Sequence, residues 1–537
     1  MRPPCDEAAI RSGSSDVPCQ PSAAPWILAA AILGTSMAFI DSTVVNVALP
    51  ALQSSFNATV IDVQWVVESY GLFLGALILV GGAAGDLFGR RRIFIAGIAL
   101  FALASAACGM AQTIHQLIAA RALQGLGAAL LTPGSLAIIS ASFPEQDRGR
   151  AIGTWSGFSA ITMAFGPVLG GWLIQHASWR WIFFINLPLA AAVILISLWR
   201  VPESRGPSAK RLDLLGALLV TVGLGGLVYG LIESPRLGWG YPTVAGSLLS
   251  GAACLFAFPF VEARAASPMV PLKLFRLPTF TGANLLTLFL YSALGIFFFV
   301  FPMNLIQVQG YSATEAGAAA LPLILLIFFL SRWSGGLVAR YGPKLPLIVG
   351  PLIAAAGFTM FAIPGIGGSY WKSLFPAFVV LGFGMAISVA PLTTVVMGTV
   401  DQAHAGAASG INNAVARIAG LLAIAVFGIV MVKAFAIRLD HQLASLQVAQ
   451  HARSEIQSNR TKLAAIEIPA DVDPESAEKA RAAISNSFLF AFRIVVFSCA
   501  ILAFASTIAA TLLIDDKPSK TKGTIGEMPR NTQKRQP

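Results

Sequence analysis

Long runs of apolar residues, separated by short polar stretches, follow one another along almost the whole chain. A transmembrane helix needs about 20 predominantly apolar residues to cross the hydrocarbon core of a bilayer. Fourteen stretches meet this condition, so the pattern predicts an all-α integral membrane protein with fourteen transmembrane helices. These stretches are 26–49, 62–82, 93–112, 115–141, 151–174, 180–200, 213–232, 243–262, 279–303, 312–331, 345–364, 372–398, 407–434 and 486–514.

The polar stretches between the apolar runs differ in charge. Arginine and lysine are concentrated in every second connection, and the cytoplasmic loops of membrane proteins carry such an excess. We therefore expect a multi-pass protein of the inner (plasma) membrane with both termini in the cytoplasm. The basic clusters are Arg90–Arg92, Arg148 with Arg150, Arg200–Arg211, Arg264–Arg276, Arg332–Lys344 and the tail from Lys517 onward.

The same pattern divides the chain into segments. The N-terminal stretch is rich in proline and serine and lacks the apolar core of a signal peptide. The long polar stretch after the thirteenth span lies outside the cell in this topology, either as an amphipathic surface helix or as a tolerated insertion. The expected segments are a disordered cytoplasmic tail at 1–25, six helices at 26–200, two inserted helices with their loops at 201–275, six helices at 276–514 with an outer loop at 435–485, and a basic cytoplasmic tail at 515–537.

Composition supports the membrane interpretation and excludes several other classes. The chain is 56% hydrophobic and 11% charged, whereas soluble domains carry about 25% charged residues. Its net charge of +11 comes from short clusters between apolar runs, so no nucleic-acid-binding face is expected. The five cysteines and five histidines are dispersed, which predicts no metal site. The chain has no GxxxxGK[ST] phosphate loop, so we expect no nucleotide cofactor and an ion gradient as energy source.

The two halves of the chain resemble each other in the same direction. The stretch GLGAALLTPGSLAII recurs as GFGMAISVAPLTTVV, and Gly125 and Gly127 correspond to Gly382 and Gly384, 257 positions later. Parallel repeats of six helices are typical of one large transporter architecture, in which two bundles rock about a central site. The helices between the repeats are then an insertion.

Three ionisable residues lie inside predicted spans, where charges are costly and therefore candidates for function. Asp41, Glu68 and Arg121 fall at similar depths in the outer half of spans 1, 2 and 4. We expect Asp41 and Glu68 to bind protons or substrate cations and Arg121 to tune them, with a static ion-pair network as the alternative. On their helices, Glu68 shares a face with Gln64, Gly71 and Gly75, and Arg121 shares one with Gln124.

Polar residues also lie in a span of the second half. Asn412, Asn413 and Arg417 occupy span 13 and are candidates to line a central cavity, with structural pairing as the alternative. In span 9, the stretch YSALGIFFFVFP offers either aromatic walls for a lipophilic cation or a surface that packs against lipid.

Four motifs in order resemble those of the major facilitator superfamily, and within it the fourteen-helix drug:proton antiporters of the EmrB/QacA type. They are LGTSMAFIDSTVVNVALP in span 1, GGAAGDLFGRRR between spans 2 and 3, RALQGLGAA in span 4, and GPVLGG followed by WRWIFFINLP at span 5. The resemblance covers nearly the whole chain and implies the major facilitator fold, two six-helix bundles plus two inserted helices.

The resemblance assigns a conformational switch to the connection between spans 2 and 3. In the family this motif latches the two bundles together in the outward-facing state. Asp86 is expected to meet a helix N-terminus or an arginine, and topology anchoring alone is the alternative. Ala339 replaces the aspartate in the second half, so the latch belongs to the first half. Its residues are Gly82, Asp86, Gly89, Arg90 and Arg91.

Span 5 carries the motif that the family associates with antiport. Gly166, Gly170 and Gly171 permit close helix approach, and Pro167 permits a bend. The resemblance implies that this helix seals an exporter against leak and acts as a hinge.

We therefore expect a proton-coupled multidrug efflux transporter that exports lipophilic or cationic compounds by alternating access, and not an enzyme. A proton-coupled exporter of a specific endogenous metabolite or siderophore remains the alternative, while an importer, a membrane enzyme and a sensor are disfavoured. Expected partners are small-molecule substrates, protons and the lipid bilayer, and in a cell with an outer membrane also a periplasmic adaptor and an outer-membrane channel.

Overall fold

The computed structural model of the protein describes residues 22–206, 212–400, 405–445, 450–469 and 471–516, and these are helical without any β-strand. Most residues of the two predicted cytoplasmic tails lie outside these described ranges. Short helical turns at Trp181–Phe184, Ala313–Ala318, Leu337–Tyr341 and Tyr370–Ser373 each precede one of the long helices. The long helices are α1 Ala24–Phe56, α2 Val60–Phe88, α3 Arg90–Met110, α4 Ile114–Ser142, α5 Glu145–His176, α6 Asn186–Arg200, α7 Leu214–Leu237, α8 Pro242–Glu262, α9 Pro278–Met303, α10 Leu321–Gly335, α11 Lys344–Met360, α12 Phe375–Gly398, α13 Ala405–Ser445 and α14 Pro474–Leu513.

These helices coincide with the predicted spans. Within the described ranges, thirteen helical segments are long and apolar enough to cross a membrane, with α6 and α10 counted together with the turns before them as Trp181–Arg200 and Ala313–Gly335. Helix α11 is shorter, with 17 residues. Seventeen residues rise about 26 Å, which is near the lower limit for a transmembrane helix. Several others exceed the predicted bounds, since a helix of 33 residues such as α1 continues beyond the apolar run.

Local chemistry sets the helix ends on either side of α2. Thr59 and Asp62 form a capping box in which each side chain accepts a hydrogen bond from the other residue's backbone NH. At the other end, Gly89 separates α2 from α3 with a φ of 115°, a backbone conformation that a side chain strongly disfavours.

Two six-helix bundles repeat the same packing. In the first, α4 packs on both α2 and α3, while α1 packs on α5 and α6. In the second, α12 packs on both α10 and α11, while α9 packs on α13 and α14. The order of helices is the same in both, which confirms the parallel repeat.

Glycines at equivalent positions produce this equivalence. A Cβ added at Gly125 would overlap the backbone of α2, and one at Gly127 would overlap that of α3. Their counterparts Gly382 and Gly384 make the same close approaches to α10 and α11. The repeated glycines are needed because backbones meet there without room for a side chain.

The inserted pair α7–α8 lies beside the bundles. Helix α7 packs against both α2 and α13, whereas the main contact of α8 is with α7. The Trp65 indole in α2 donates a hydrogen bond to the Glu233 carboxylate in α7 at 2.9 Å. The insertion thus covers the line where the two bundles meet.

The segment expected as an outer loop, 435–485, is largely helical. Helix α13 continues to Ser445 because no helix-breaking residue interrupts it, and α14 begins at Pro474 behind an Asp473 cap. The Ser476 backbone NH that donates to this cap lowers the pKa of the Asp473 carboxyl. Between them lie a helix at Gln450–Ser458 and a 3-10 turn at Arg460–Ala465.

Most phenylalanines in the stretch YSALGIFFFVFP of α9 differ from both expectations, although Phe298 is partly exposed. Phe297 and Phe301 are fully buried and pack against Phe358, Phe361 and Phe378 of the second bundle. They therefore face neither lipid nor a substrate path. Sequence alone cannot distinguish these environments because each favours aromatic residues.

The two ends of the molecule are named here by their residues. The basic face is the end that holds Asp86–Arg92 and residues 201–206, and the distal face is the end that holds residues 450–469. At the distal face the bundles touch, for example where α5 meets the Ala313–Ala318 turn.

Towards the basic face, α5 and α10 diverge. Gly153 lies 18 residues, or five helical turns, before Gly171 and therefore on the same side of α5, about 27 Å away. A Cβ at Gly171 would overlap the Ala313 backbone, whereas a Cβ at Gly149, Gly153 or Gly157 would contact nothing within 4 Å. The side of α5 that contacts the second bundle at the distal face therefore borders open space at these glycines, towards the basic face.

Candidate functional site

Three of the predicted residues form one buried cluster in the first bundle. The Arg121 guanidinium donates to the Asp41 carboxylate at 2.5 Å and to the Gln124 amide oxygen at 2.7 Å. The Gln124 amide donates in turn to the other Asp41 oxygen at 2.9 Å. Helices α1 and α4 thus bring together a closed triangle of charge-assisted hydrogen bonds.

The protein surrounds this cluster completely. Asp41 and Arg121 are each 1% exposed, and Gln124 is fully buried. Arg121 also donates to the Val66 carbonyl at 3.2 Å and stacks over the Tyr70 ring, 4.2 Å from its centroid. A buried ion pair persists only when such bonds satisfy its remaining donors and acceptors.

Glu68 lies apart from this cluster. Its side chain is 1% exposed, and neither carboxylate oxygen has a hydrogen-bond partner in the described part of the chain. Arg121, expected to tune it, contacts Asp41 instead. A buried carboxyl with no hydrogen-bond partner is rare in native proteins, and inside a membrane span it indicates a functional role.

The face of α2 that carries Glu68 points at α13. The Gln64 amide donates to the Ile424 carbonyl at 3.0 Å, and Cβ atoms at Gly71 and Gly75 would touch Leu421 and Arg417. Residue numbers rise along α2 as they fall along α13, so the helices are antiparallel. Glu68 therefore lies where the two bundles meet.

The second-bundle candidates separate into two environments. The Asn412 amide donates to Thr287 at 2.6 Å and to Asn284 at 3.3 Å, so it links α13 to α9 inside the bundle. Asn413 is exposed and donates to the Ser409 carbonyl of its own helix. Arg417 is half-buried, and its guanidinium lies 5.9 Å from the Phe39 ring centroid in α1.

The switch residues at the basic face contact the first bundle. The Arg90 guanidinium pairs with Asp86 at 2.7 Å and donates to the Ala137 carbonyl at 3.3 Å. Gly89 supplies the turn, and a Cβ at Gly82 would touch Pro133 of α4. Asp86 thus meets an arginine, one of its two expected partners.

Sequence reasoning missed Glu203, which joins this site from the extended stretch after α6. Its carboxylate accepts from the Arg91 backbone NH at 3.1 Å and lies 3.8 Å from the Arg91 and 3.7 Å from the Arg92 side chains. The Arg90 backbone NH donates to the Ser204 carbonyl at 2.9 Å. Glu203 is 4% exposed in the structure, but in the sequence it is only an acid within a basic connection, which is a weak signal.

The antiporter motif of α5 faces two directions. Cβ atoms at Gly166 and Gly170 would overlap Thr43 and Val44 of α1. A Cβ at Gly171 would overlap the backbone at Ala313 in the other bundle. The motif therefore holds α5 against its own bundle and against the second bundle at the distal face.

The partner of this motif was also missed. A Cβ at Gly317 would overlap the carbonyl of Pro167, so glycine is required on both sides of the contact. Nearby, the Gln307 amide donates to the Gln53 amide oxygen at 2.8 Å and links the bundles at the distal face. Gly317 and Gln307 belong to none of the sequence motifs, so the sequence pattern alone could not predict what they contact.

Named relatives resemble the chain over most of its length. The Multidrug resistance protein Stp of Mycobacterium tuberculosis (strain CDC 1551 / Oshkosh) is 37% identical, and the match covers 79% of each chain. The Tetracenomycin C resistance and export protein of Streptomyces glaucescens is 36% identical over 76% of each. The Lincomycin resistance protein of Streptomyces lincolnensis is 35% identical over 72% of this chain and 80% of that protein.

Solved structures share the fold. A bacterial homolog of the human lysosomal transporter Spinster, in an inward-facing and occupied conformation, superimposes with a TM-score of 0.65 at 16% identity, covering 91% of this chain and 96% of that one. A D-xylose-proton symporter gives a TM-score of 0.58 at 14% identity, covering 91% and 98%. The family model of the Major Facilitator Superfamily matches residues 31–424. The fold predicted from the motifs is thus confirmed, and the chain belongs to the Major Facilitator Superfamily.

Proposed function

We propose that the protein is a proton-coupled multidrug efflux transporter that exports lipophilic or cationic compounds by alternating access. The protein is a transporter and not an enzyme, because its family and its structural neighbours are transporters. The names of its relatives, which are resistance and export proteins, support export of drugs. Their sequence identity of 35–37% over most of the chain favours export over uptake.

The observation that carries proton coupling is the unpaired Glu68 carboxyl between α2 and α13. An ionised carboxylate in this dry position would lack any compensating partner, which is costly. We propose that Glu68 holds a proton while the bundles are closed around it and releases it when they part.

The Asp41, Arg121 and Gln124 cluster has a second role in this proposal. Each Asp41 oxygen accepts a hydrogen bond from α4 in the present state, so a proton or substrate cation that binds Asp41 would compete with Arg121 and Gln124 for this carboxylate. Binding of a proton or cation to Asp41 on α1 would thereby change the position of α4.

The remaining motifs act as gates in this scheme. The α5 glycines with Pro167 close the distal face against leak. The group Gly82, Asp86, Gly89, Arg90 and Arg91, held by residues 201–206, would latch the second bundle when the basic face closes.

We propose that the basic face is cytoplasmic, with both termini on that side of the inner (plasma) membrane. Its excess of arginine supports this orientation. The distal segment 435–485 would then face outward. In a cell with an outer membrane it is the place where a periplasmic adaptor and an outer-membrane channel would dock.

The test is proton movement in inverted membrane vesicles. Energised vesicles receive a panel of lipophilic cations, and the pH gradient is followed for wild type, Glu68→Gln and Asp41→Asn. We expect wild type to release protons on substrate addition, and Glu68→Gln to lose that release while it still binds substrate. Glu68→Gln is the cleaner variant because it leaves no charged partner behind.

Two results would contradict the proposal. Coupled transport that survives in both variants would exclude these carboxyls from the proton path. A response to one endogenous compound and to none of the drugs would favour the alternative, a specific metabolite or siderophore exporter.

A further inference from the structure

Arg417 is a charge in the middle of the membrane that the proposed proton path does not use. It lies opposite Gly75, next to the midpoint of the 29-residue helix α2. Across the described ranges, no Asp or Glu oxygen lies within 4.0 Å of its guanidinium, and no hydrogen bond to it occurs. Arginine keeps its charge at any working pH, so this position is permanently cationic.

The guanidinium points between the bundles. Its stem passes over Gly75 of α2, where a Cβ would come 3.4 Å from that of Arg417, and its head reaches towards Phe39 of α1. The side chain is half-buried, and none of its nitrogens is sealed from solvent. Solvent therefore reaches the guanidinium in the space between α1 of the first bundle and α13 of the second.

The surroundings of Arg417 combine polar and apolar surface. Asn413, one helical turn away on the same face of α13, is exposed and keeps its amide oxygen and one amide hydrogen unused. Phe39 and Ile418 add partly exposed apolar surface. The other charged groups at this depth, Asp41 with Arg121, neutralise each other inside the first bundle.

We propose that Arg417 binds an anionic oxygen group of the substrate, so that the transporter takes lipophilic compounds that carry one acidic group, a carboxylate or a phenolate. Asn413 donates a second hydrogen bond to the same group, and Phe39 contacts its apolar body. The inference rests on the proposed function and adds acidic lipophiles to its substrates. An Arg–carboxylate pair in a partly desolvated cavity gives both orientation and affinity.

The competing role for Arg417 is that of a counter-ion for Glu68. By the antiparallel register, Glu68 lies opposite Ile424, about 10 Å along the helix axis from Arg417. In that role the arginine would serve proton release and affect every substrate alike. The two roles therefore differ in how they depend on substrate charge.

The experiment measures binding to the purified full chain in detergent. The probes are a fluorescent aromatic carboxylic acid, its primary amide and a lipophilic cation of similar size, and the variants are Arg417→Gln and Arg417→Lys. Arg493→Gln is the matched control, since this arginine lies near the distal face and donates to the Pro364 carbonyl. Monodisperse elution on gel filtration verifies folding.

We expect Arg417→Gln to weaken acid binding by about 10- to 100-fold, the loss of one charge-assisted hydrogen bond. Amide and cation binding should change less than about twofold, and Arg417→Lys should keep part of the affinity. An equal loss for all three probes, or a wild type that binds amide and cation but not the acid, would overturn this inference alone. Export of none of the three probes by wild type in energised vesicles would overturn the proposed function as well.

Discussion

At the scale of single residues, the ion pair of Asp41 and Arg121 shows how much one buried contact can control. Neither charge reaches solvent, and Gln124 satisfies atoms of both. Removal of one partner leaves an uncompensated charge in the bundle, whereas removal of both leaves none. Stability and transport therefore need to be measured separately at this site.

We predict that Asp41→Ala and Arg121→Met each lower the free energy of unfolding by about 3–5 kcal/mol. The double variant should cost clearly less than the sum, because it buries no lone charge. Denaturant-induced unfolding in detergent micelles measures all three. Strictly additive losses would show that the pair is not coupled.

At the scale of elements, one side of α5 is packed against protein at one end of the helix and uncovered at the other. Near the distal face the stripe with Gly171 contacts the other bundle, and near the basic face the stripe with Gly153 contacts nothing. The small residue near the distal face therefore serves a contact formed now, and those near the basic face are free to serve a contact formed in another state.

We predict opposite effects for two valine substitutions on this stripe. Gly171→Val collides with the Ala313 backbone and should reduce the population of the present state about tenfold, since overpacking costs about 1–3 kcal/mol. Gly153→Val meets open space here and should leave this state populated. The readout is thiol labelling of Gly157→Cys by a hydrophilic maleimide in a chain without other cysteines.

The two variants control for each other, because each adds the same side chain to the same side of α5. Labelling should fall for Gly171→Val and stay equal or rise for Gly153→Val. Equal labelling of both variants would mean that α5 does not govern opening at the basic face.

At the scale of the whole molecule, the bundles are joined at one end and separated at the other. Gln53 with Gln307 joins the distal ends, and Asn57 accepts from the Lys462 ammonium of the distal segment at 2.6 Å. Rigid-body rocking about a central site requires these distal contacts to break in each cycle.

We predict that a disulfide between Gln53→Cys and Gln307→Cys abolishes export in vesicles and that a reductant restores it. The control pair is Asp440→Cys with Gln457→Cys, whose parent side chains are hydrogen-bonded at 2.9 Å within the second bundle's own distal segment. This control should be oxidised without loss of export. Full activity of the oxidised Gln53–Gln307 pair would exclude rocking as the transport motion.

Some of the site was predictable and some was not, for reasons visible in particular residues. Asp41, Glu68 and Arg121 stood out because charge inside an apolar run is a local anomaly. That Arg121 pairs with Asp41 and leaves Glu68 alone depends on which faces of α1, α2 and α4 meet. Glu203 gave no comparable signal, since an acid beside arginines in a connection is ordinary.

The sequence by itself determined the number of helices, their repeat and their charged positions. Apolar length and glycine spacing are properties of short segments, and the bilayer translates them directly into helices. The tertiary structure alone decided which part of α5 contacts the second bundle, how far α13 and α14 continue beyond the apolar runs, and that Arg417 reaches solvent between α1 and α13. These features depend on contacts between residues hundreds of positions apart, which no local pattern specifies.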